Sequence, residues 1–211
     1  TDEAALVEIA SQISEKGLRS VAVCLLNSYA NNVNEQCVKK VLERELPGVH
    51  ITLSSDIAPQ IREYPRTSTT CINAYSTPFS LPYLTGLTDQ VRAEGCDLEP
   101  LIMLSNGGVV GAKTAALQPV RMIESGPAAG ALAAGLLSKT YGISDLISFD
   151  MGGTTAKACL IQDGEPLITG EFEVDRRYRF KPGSGMPITV PSVDMIEIGA
   201  GGGSIARVDD L

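Results

Sequence analysis

Residues 146–161, LISFDMGGTTAKACLI, form the most informative segment of this chain. Two short apolar runs flank a turn that holds two glycines and two threonines, and this pattern predicts a β-hairpin. Glycines at such a turn let backbone N–H groups face a ligand, and the threonine hydroxyls add donors. Asp150 ends the first run, where its carboxylate suits a hydrated Mg²⁺ carried by phosphates. The pattern predicts a nucleotide-phosphate loop on a hairpin, without a Walker sequence; the alternative is a tight hairpin that binds nothing.

Composition excludes several classes of protein. The 211 residues suit one large or two small domains, and 44% of them are hydrophobic, enough for a substantial core. A net charge of −8 argues against a nucleic-acid-binding surface. No apolar run approaches the length of a membrane span, and the first residues are acidic where a secretory signal is basic. The five scattered cysteines and the single histidine, His50, favour reduced thiols and no zinc site. We therefore expect a cytoplasmic protein that binds neither nucleic acid nor membrane.

The first half of the chain alternates helical and extended patterns. Apolar residues recur at helical spacing in residues 3–16 and again after Asn34, which we expect to cap the second helix. Apolar runs at 21–26 and 50–53 predict strands, so this part indicates an α/β fold with a parallel sheet. The segments that follow are predicted to be a charged surface loop at 54–66 and two helices at 67–75 and 84–93.

Two glycine-containing segments accompany the hairpin. Residues 105–108, SNGG, follow a predicted strand at 101–104 and suit either a plain turn or a ligand loop. Residues 199–204, GAGGGS, hold four glycines in five positions, which indicates a close approach of this backbone to another group. The segment does not match G-x-G-x-x-G, so a Rossmann site is not predicted.

Residues 124–139, ESGPAAGALAAGLLSK, predict a helix with almost no side-chain bulk. Ser125 is expected to cap this helix, with Pro127 in its first turn. Close packing against a neighbour is one role for such a helix, and anion binding at its N-terminus is the other.

After the hairpin we expect a strand at 167–174 and then a surface loop at 175–187. That loop carries four basic side chains: Arg176, Arg177, Arg179 and Lys181.

Five segments together resemble the hydantoinase A/oxoprolinase family of ATP-dependent cyclic-amide hydrolases and ketone carboxylase subunits. They are REYPRTSTTCINAY (62–75), SNGG (105–108), ESGPAAG (124–130), FDMGGTTAKA (149–158) and IGAGGGSIARVD (198–209). The TTAKA form is similar to the N-methylhydantoinase and oxoprolinase branch. The resemblance implies an actin-like ATPase fold, in which two ribonuclease H-like lobes enclose ATP. Residues 1–120 are then the later part of the first lobe, and residues 121–211 begin the second lobe, with the hairpin as its phosphate loop.

The resemblance also implies roles for individual residues. Asp150 is expected to be catalytic and to orient Mg²⁺ or the attacking water; as a general base it ranks before Glu124 and Asp194. The expected ATP-binding residues are Gly152, Gly153, Thr154, Thr155, Lys157, Gly201, Gly202, Gly203 and Ser204. The expected substrate is a cyclic amide (hydantoin, N-methylhydantoin or 5-oxoproline) whose ring opens after ATP phosphorylates the amide oxygen. The alternatives are an ATP-dependent ketone carboxylase subunit and a binding or assembly domain without catalysis.

This chain is much shorter than the members of this family. Family members are several-fold longer and begin with a glycine-rich phosphate loop of the G-G-T-F-T-D type, which residues 1–30 lack. We therefore expect an internal piece of a longer enzyme that is inactive by itself. Its expected partners are the remaining part of the parent chain and a hydantoinase B-type subunit or domain. An exposed lobe face also makes a homo-oligomer an open possibility.

Overall fold

The computed structural model describes residues 2–178, 181–205 and 207–208, and these form two compact units. The first unit lies within residues 1–102, 109–123 and 170–190, and the second within residues 103–108, 124–169 and 191–211. No helix in the described part of the chain is long and apolar enough to cross a membrane.

Helices and strands alternate through the first unit, and short strands dominate the end of the chain. The described α-helices are α1 (Glu3–Glu15), α2 (Val33–Glu45), α3 (Ser54–Ile57), α4 (Glu63–Ala93), α5 (Ala112–Leu117) and α6 (Ser125–Tyr141), with a 3₁₀ helix at Pro119–Met122. The described strands are β1 (Ser20–Val23), β2 (His50–Leu53), β3 (Leu101–Met103), β4 (Val109–Gly111), β5 (Leu146–Met151), β6 (Ala156–Gln162), β7 (Glu165–Pro166), β8 (Ile168–Thr169), β9 (Phe172–Val174), β10 (Met186–Ile188), β11 (Ser192–Val193) and β12 (Ile196–Ile198).

The N-terminal part of the first unit is the predicted α/β arrangement. Strands β1 and β2 are parallel, with Val21 opposite Ile51, which confirms the predicted parallel pair. Helices α1 and α2 share a buried apolar cluster with both strands. The cluster consists of Leu6, Ala10, Val23, Val38, Val41, Leu42, Leu46 and Leu53.

Two local predictions in this region are wrong for identifiable reasons. Strand β1 ends at Val23, because the N–H of Leu25 donates to the carboxylate of Glu35 (2.9 Å) instead of to a strand neighbour. Helix α2 begins at Val33, so Asn34 does not cap it. The side chain of Asn31 accepts the hydrogen bond from the Val33 N–H (3.1 Å).

The predicted surface loop at 54–66 is wrong as well, because it contains α3 and the start of α4. Glu35 and Arg66 are both fully buried here, and the Ser54 hydroxyl connects them. Ser54 Oγ donates to Glu35 Oε1 (2.6 Å), and Arg66 Nε donates to Ser54 Oγ (3.2 Å). Arg66 also donates to the carbonyl oxygen of Leu25. Charged side chains are buried when they are paired and hydrogen-bonded in this way, which a charge pattern alone does not predict.

The two helices predicted after this segment are one helix, α4, of 31 residues. Pro78 and Pro82 lie inside it, although proline costs a helix interior several kcal/mol. Tertiary contacts hold the helix together: buried Asn73 donates to the carbonyl oxygen of Leu117 (3.1 Å) and accepts from the N–H of Val120 (3.3 Å). Long-range packing therefore outweighs the local preference for a break.

The second unit contains the predicted hairpin, which the structure confirms. Strands β5 and β6 are antiparallel, with Asp150 opposite Lys157 and Met151 opposite Ala156. Strand β12 pairs with the other edge of β6, and the short strand β7 also pairs with β6. Helix α6 packs on this sheet through a buried cluster. The cluster consists of Ala128, Ala131, Cys159, Ile161 and Val193.

Helix α6 confirms the expected close packing but not the expected cap. A Cβ atom added to Gly135 would lie 2.7 Å from the carbonyl oxygen of Gly164, so this position leaves no room for a side chain. The helix ends before Gly142 as the pattern predicts. Its N-cap is Glu124 instead of Ser125, and Glu124 has a left-handed backbone (φ 65°) without a side-chain capping bond.

The end of the chain differs from its predicted outline. The predicted strand at 167–174 is two strands, β8 and β9, because the chain passes from the second unit to the first between Thr169 and Gly170. In the predicted basic loop, Arg179 lies outside the described residues, as do Ala206 and Asp209 of the last family segment.

Candidate phosphate-binding site

The turn of the β5–β6 hairpin is tight and exposed. Its closing hydrogen bond runs from the N–H of Gly152 to the carbonyl oxygen of Thr155 (3.0 Å). Gly152, Gly153 and Thr154 are exposed, and Thr155 is half-buried. Asp150 and Lys157 lie directly opposite each other where the strands enter this turn, so their side chains share one face of the sheet.

The outer side of this turn offers donors to a ligand. The backbone N–H groups of Gly153 and Thr154 make no hydrogen bond to any other described residue. A Cβ atom added to Gly153 would meet nothing within 4 Å, so the space around it is open. Unpaired N–H groups beside two hydroxyls are the donor set that phosphate oxygens accept. The residues present therefore fit a polyphosphate.

The glycines at 201–203 lie against the hairpin turn. The N–H of Gly202 donates to the carbonyl oxygen of Gly152 (3.0 Å). A Cβ atom added to Gly201 would lie 2.2 Å from the carbonyl oxygen of Gly153, so only glycine fits at this position. The hydroxyl of Ser204 accepts from the N–H of Gly201 (3.1 Å) and holds the segment in a turn. The structure thus brings the two predicted glycine segments together. Gly201 must be glycine because it packs against the backbone of the hairpin turn, with no ligand involved.

A row of charged side chains crosses the three strands beside the turn. Lys157 lies between Asp150 on β5 and Glu197 on β12. Its ammonium forms an ion pair with Glu124 and lies 3.6 Å from Glu197 Oε1. The Lys157 side chain is only 15% exposed. Burial lowers the pKa of Lys157, but the hydrogen bond and charge of Glu124, with the charge of Glu197, raise it above its ordinary value, so the ammonium stays charged.

The three carboxylates considered as a general base have different surroundings. Asp150 is exposed at the turn, whereas the carboxylate of Glu124 is engaged by Lys157. Asp194 lies beyond Ile196, which pairs with Ala158, so it is further from the turn than Glu197. Within the described residues no group of three His, Cys, Asp or Glu side chains is arranged to hold a metal ion.

Sequence reasoning missed the contact between Glu124 and Lys157. The two residues are separated by 32 others, and neither belongs to a charge pattern with the other. Both residues lie in segments that resemble the family, and this resemblance is the one signal in the sequence that could have indicated them.

Two family descriptions match this chain. The description "Hydantoinase/oxoprolinase" matches residues 66–211, and "Hydantoinase/oxoprolinase N-terminal region" matches residues 1–46. The resemblance based on five sequence segments is therefore confirmed.

Several relatives align with nearly the whole chain. An uncharacterized protein of Methanocaldococcus jannaschii is 40% identical over 99% of this chain, which covers 31% of that protein. Caprolactamase subunit alpha of Pseudomonas jessenii is 32% identical over 100% of this chain, covering 29% of that protein. The 5-oxoprolinase of Saccharomyces cerevisiae is 32% identical over 97% of this chain, covering 15% of that protein. The chain thus spans less than a third of the length of these relatives.

Two solved structures share the fold. The nucleotide-free structure of acetone carboxylase, an enzyme of ATP-dependent acetone carboxylation, has a TM-score of 0.82 and 26% identity over 99% of this chain, or 28% of its own. ATP-dependent caprolactamase from Pseudomonas jessenii has a TM-score of 0.80 and 32% identity over 99% of this chain, or 29% of its own. These likenesses confirm the predicted fold class, α/β of the actin-like ATPase type.

Proposed function

We propose, from the premise that this chain belongs to the hydantoinase/oxoprolinase family, that it is part of an ATP-dependent enzyme that opens a cyclic amide. Two relatives support this substrate class by name: a caprolactamase and a 5-oxoprolinase. Amide carbonyls are poor electrophiles, and phosphorylation of the amide oxygen makes the carbon reactive toward water. The role of the protein in such a reaction is to position the phosphates and to stabilise charge.

The observation that carries the proposal is the exposed turn of the hairpin with the second glycine segment packed against it. We assign Gly152, Gly153, Thr154 and Thr155 to the phosphate oxygens of ATP, because most of this turn is exposed and the N–H groups of Gly153 and Thr154 make no hydrogen bond to another described residue. Lys157 supplies a positive charge. We also assign Gly201, Gly202, Gly203 and Ser204 to the ATP site, because this segment contacts the turn through Gly201 and Gly202.

Asp150 is the proposed catalytic residue and the proposed magnesium ligand. It is the exposed carboxylate at the mouth of the turn. No group of three His, Cys, Asp or Glu side chains that could hold a metal lies in the described part of the chain, so Asp150 would hold a magnesium ion that is carried mainly by phosphates and water. Bound Mg·ATP supplies the phosphoryl group; Asp150 orients the cation or the attacking water.

The proposal extends to the organisation of the whole enzyme. We assign residues 1–120 to the later part of a first ribonuclease H-like lobe and residues 121–211 to the start of a second. A second chain or domain of the hydantoinase B type completes the enzyme, and relatives named as the alpha subunit of caprolactamase and the beta subunit of acetone carboxylase support a partner chain. We place the enzyme in the cytoplasm.

Ketone carboxylation is the second candidate, because the chain shares its fold with acetone carboxylase (TM-score 0.82) as well as with caprolactamase (TM-score 0.80). The two reactions share a phosphate site and differ in the acceptor of the phosphoryl group. A substrate panel separates them: ADP formation is measured with the full-length protein and its partner subunit. The panel contains caprolactam, 5-oxoproline, hydantoin, N-methylhydantoin, and acetone or acetophenone with bicarbonate. We expect ADP to form only with a cyclic amide; ADP formation that needs a ketone and bicarbonate would establish carboxylation instead.

A further inference from the structure

We propose that Glu124 competes with bound polyphosphate for the ammonium group of Lys157 and so limits the affinity of the turn for phosphates. The inference rests on the phosphate site proposed above and adds a role for Glu124. In place of a general base, Glu124 is a residue that sets the strength of nucleotide binding through Lys157.

Lys157 is close to the turn in the sheet but is held by other residues. It lies directly opposite Asp150, two residues after the turn that ends at Thr155. Its side chain is on the face of β6 that also carries Cys159 and Ile161, where α6 packs. The ammonium of Lys157 is therefore held beside Glu124, at the N-terminus of α6.

Negative charge outweighs positive charge around Lys157. Three carboxylates, those of Asp150, Glu124 and Glu197, accompany the single ammonium of Lys157. Lys157 is engaged by two of them, so its charge is neutralised before any ligand arrives. A polyanion at the turn gains from Lys157 only when it replaces these partners. Lysine suits such an exchange, because its ammonium is a point charge with three donors on a flexible stem.

The backbone of Glu124 has an unusual conformation. Its φ of 65° lies in the left-handed region, which is unfavourable for a residue with a Cβ atom. Glutamate does not favour this conformation, and its side chain makes no capping bond to α6. The contact it does make is with Lys157. Strain of this kind at a candidate site points to a function of the side chain.

A double-mutant cycle tests the competition. The dissociation constants of Mg·ATP and of magnesium tripolyphosphate are measured by calorimetry for the wild-type chain, Glu124→Gln, Lys157→Met and the double variant. We expect Glu124→Gln to tighten binding about 5-fold and Lys157→Met to weaken it about 10-fold, since each changes one charge-assisted contact. In the Lys157→Met background, Glu124→Gln should change binding by less than about twofold, because its effect passes through Lys157.

Matched controls separate competition from a general effect of charge or folding. Lys139 and Glu165 form an exposed ion pair in the same unit, so Lys139→Met and Glu165→Gln should leave both dissociation constants unchanged. Lys157→Arg keeps the charge and should retain binding within a few-fold, and circular dichroism checks that each variant is folded.

The outcomes are distinct. The proposed competition would be wrong if Glu124→Gln bound Mg·ATP more weakly than the wild-type chain. It would also be wrong if Glu124→Gln changed the dissociation constant equally in the wild-type and Lys157→Met backgrounds. Neither result would argue against the nucleotide site. Wild-type binding that Lys157→Met does not change would also overturn only the competition. Absence of binding by every folded variant would overturn the phosphate site itself and the proposed function with it.

Discussion

Replacement of Gly201 by alanine is the most direct structural test of the contact between the two glycine segments. The added Cβ atom would lie 2.2 Å from the carbonyl oxygen and 2.4 Å from the carbonyl carbon of Gly153, and 2.8 Å from the nitrogen of Thr154. All three are backbone atoms of the hairpin turn, so no side chain can rotate away to relieve the overlap. Either the turn or the segment at 201–204 must move.

The expected cost is that of an overpacked contact, about 1–3 kcal/mol. For a chain of this size, each kcal/mol lowers the melting temperature by about 2–4 °C. Gly170→Ala is the control, because Gly170 lies outside the proposed site, is exposed, and a Cβ atom there meets nothing within 4 Å. Melting temperatures are measured by calorimetry for both variants and for the wild-type chain.

Gly201→Ala should also weaken the binding of Mg·ATP, since it displaces the turn that offers the donors. Equal melting temperatures and equal affinities for Gly201→Ala and Gly170→Ala would contradict this prediction. That result would mean that the two segments do not touch as described.

Three further predictions concern the rest of the chain. Burial raises the pKa of Glu35, but hydrogen bonds from Ser54, Leu25 and Ser55 outweigh it and hold that pKa below its ordinary value of 4.5. Glu35 therefore contributes to the free energy of unfolding above pH 4.5, and this contribution is lost as the pH falls through the lower folded-state pKa. In urea unfolding at a series of pH values, the free energy of unfolding of Glu35→Gln should fall less on acidification than that of the wild-type chain. Arg66→Met should lower the free energy of unfolding by about 2–4 kcal/mol, because it leaves buried acceptors without donors; a loss below about 1 kcal/mol in urea unfolding would contradict this. The isolated chain should hydrolyse no ATP in a coupled ADP assay with any cyclic amide, and turnover by the pure chain would contradict that expectation.

Local patterns predicted the parts of the site whose residues are neighbours in sequence. The hairpin was predictable because both of its strands and its turn lie within seventeen residues, 146–162. The parallel pair of β1 and β2 was predictable from two apolar runs with a helix between them. In both cases the residues that determine the element are the residues that form it.

Long-range contacts were not predictable in the same way. The burial of Arg66 depends on Ser54 and Leu25, which are far from it in sequence, and without them a charged loop was the better prediction. The continuity of α4 through Pro78 depends on packing that local propensity does not contain. The ion pair of Glu124 with Lys157 joins a helix cap to a strand, and no periodic pattern links the two.

The central claim is that the turn at 152–155 binds the phosphates of ATP with the help of Asp150. Calorimetric titration of the folded chain with Mg·ATP, with Asp150→Ala as the control, tests this claim most directly. We predict heat of binding from the wild-type chain that disappears in the folded Asp150→Ala variant. Heat that is unchanged in the variant, or no heat from a folded wild-type chain, would contradict the account.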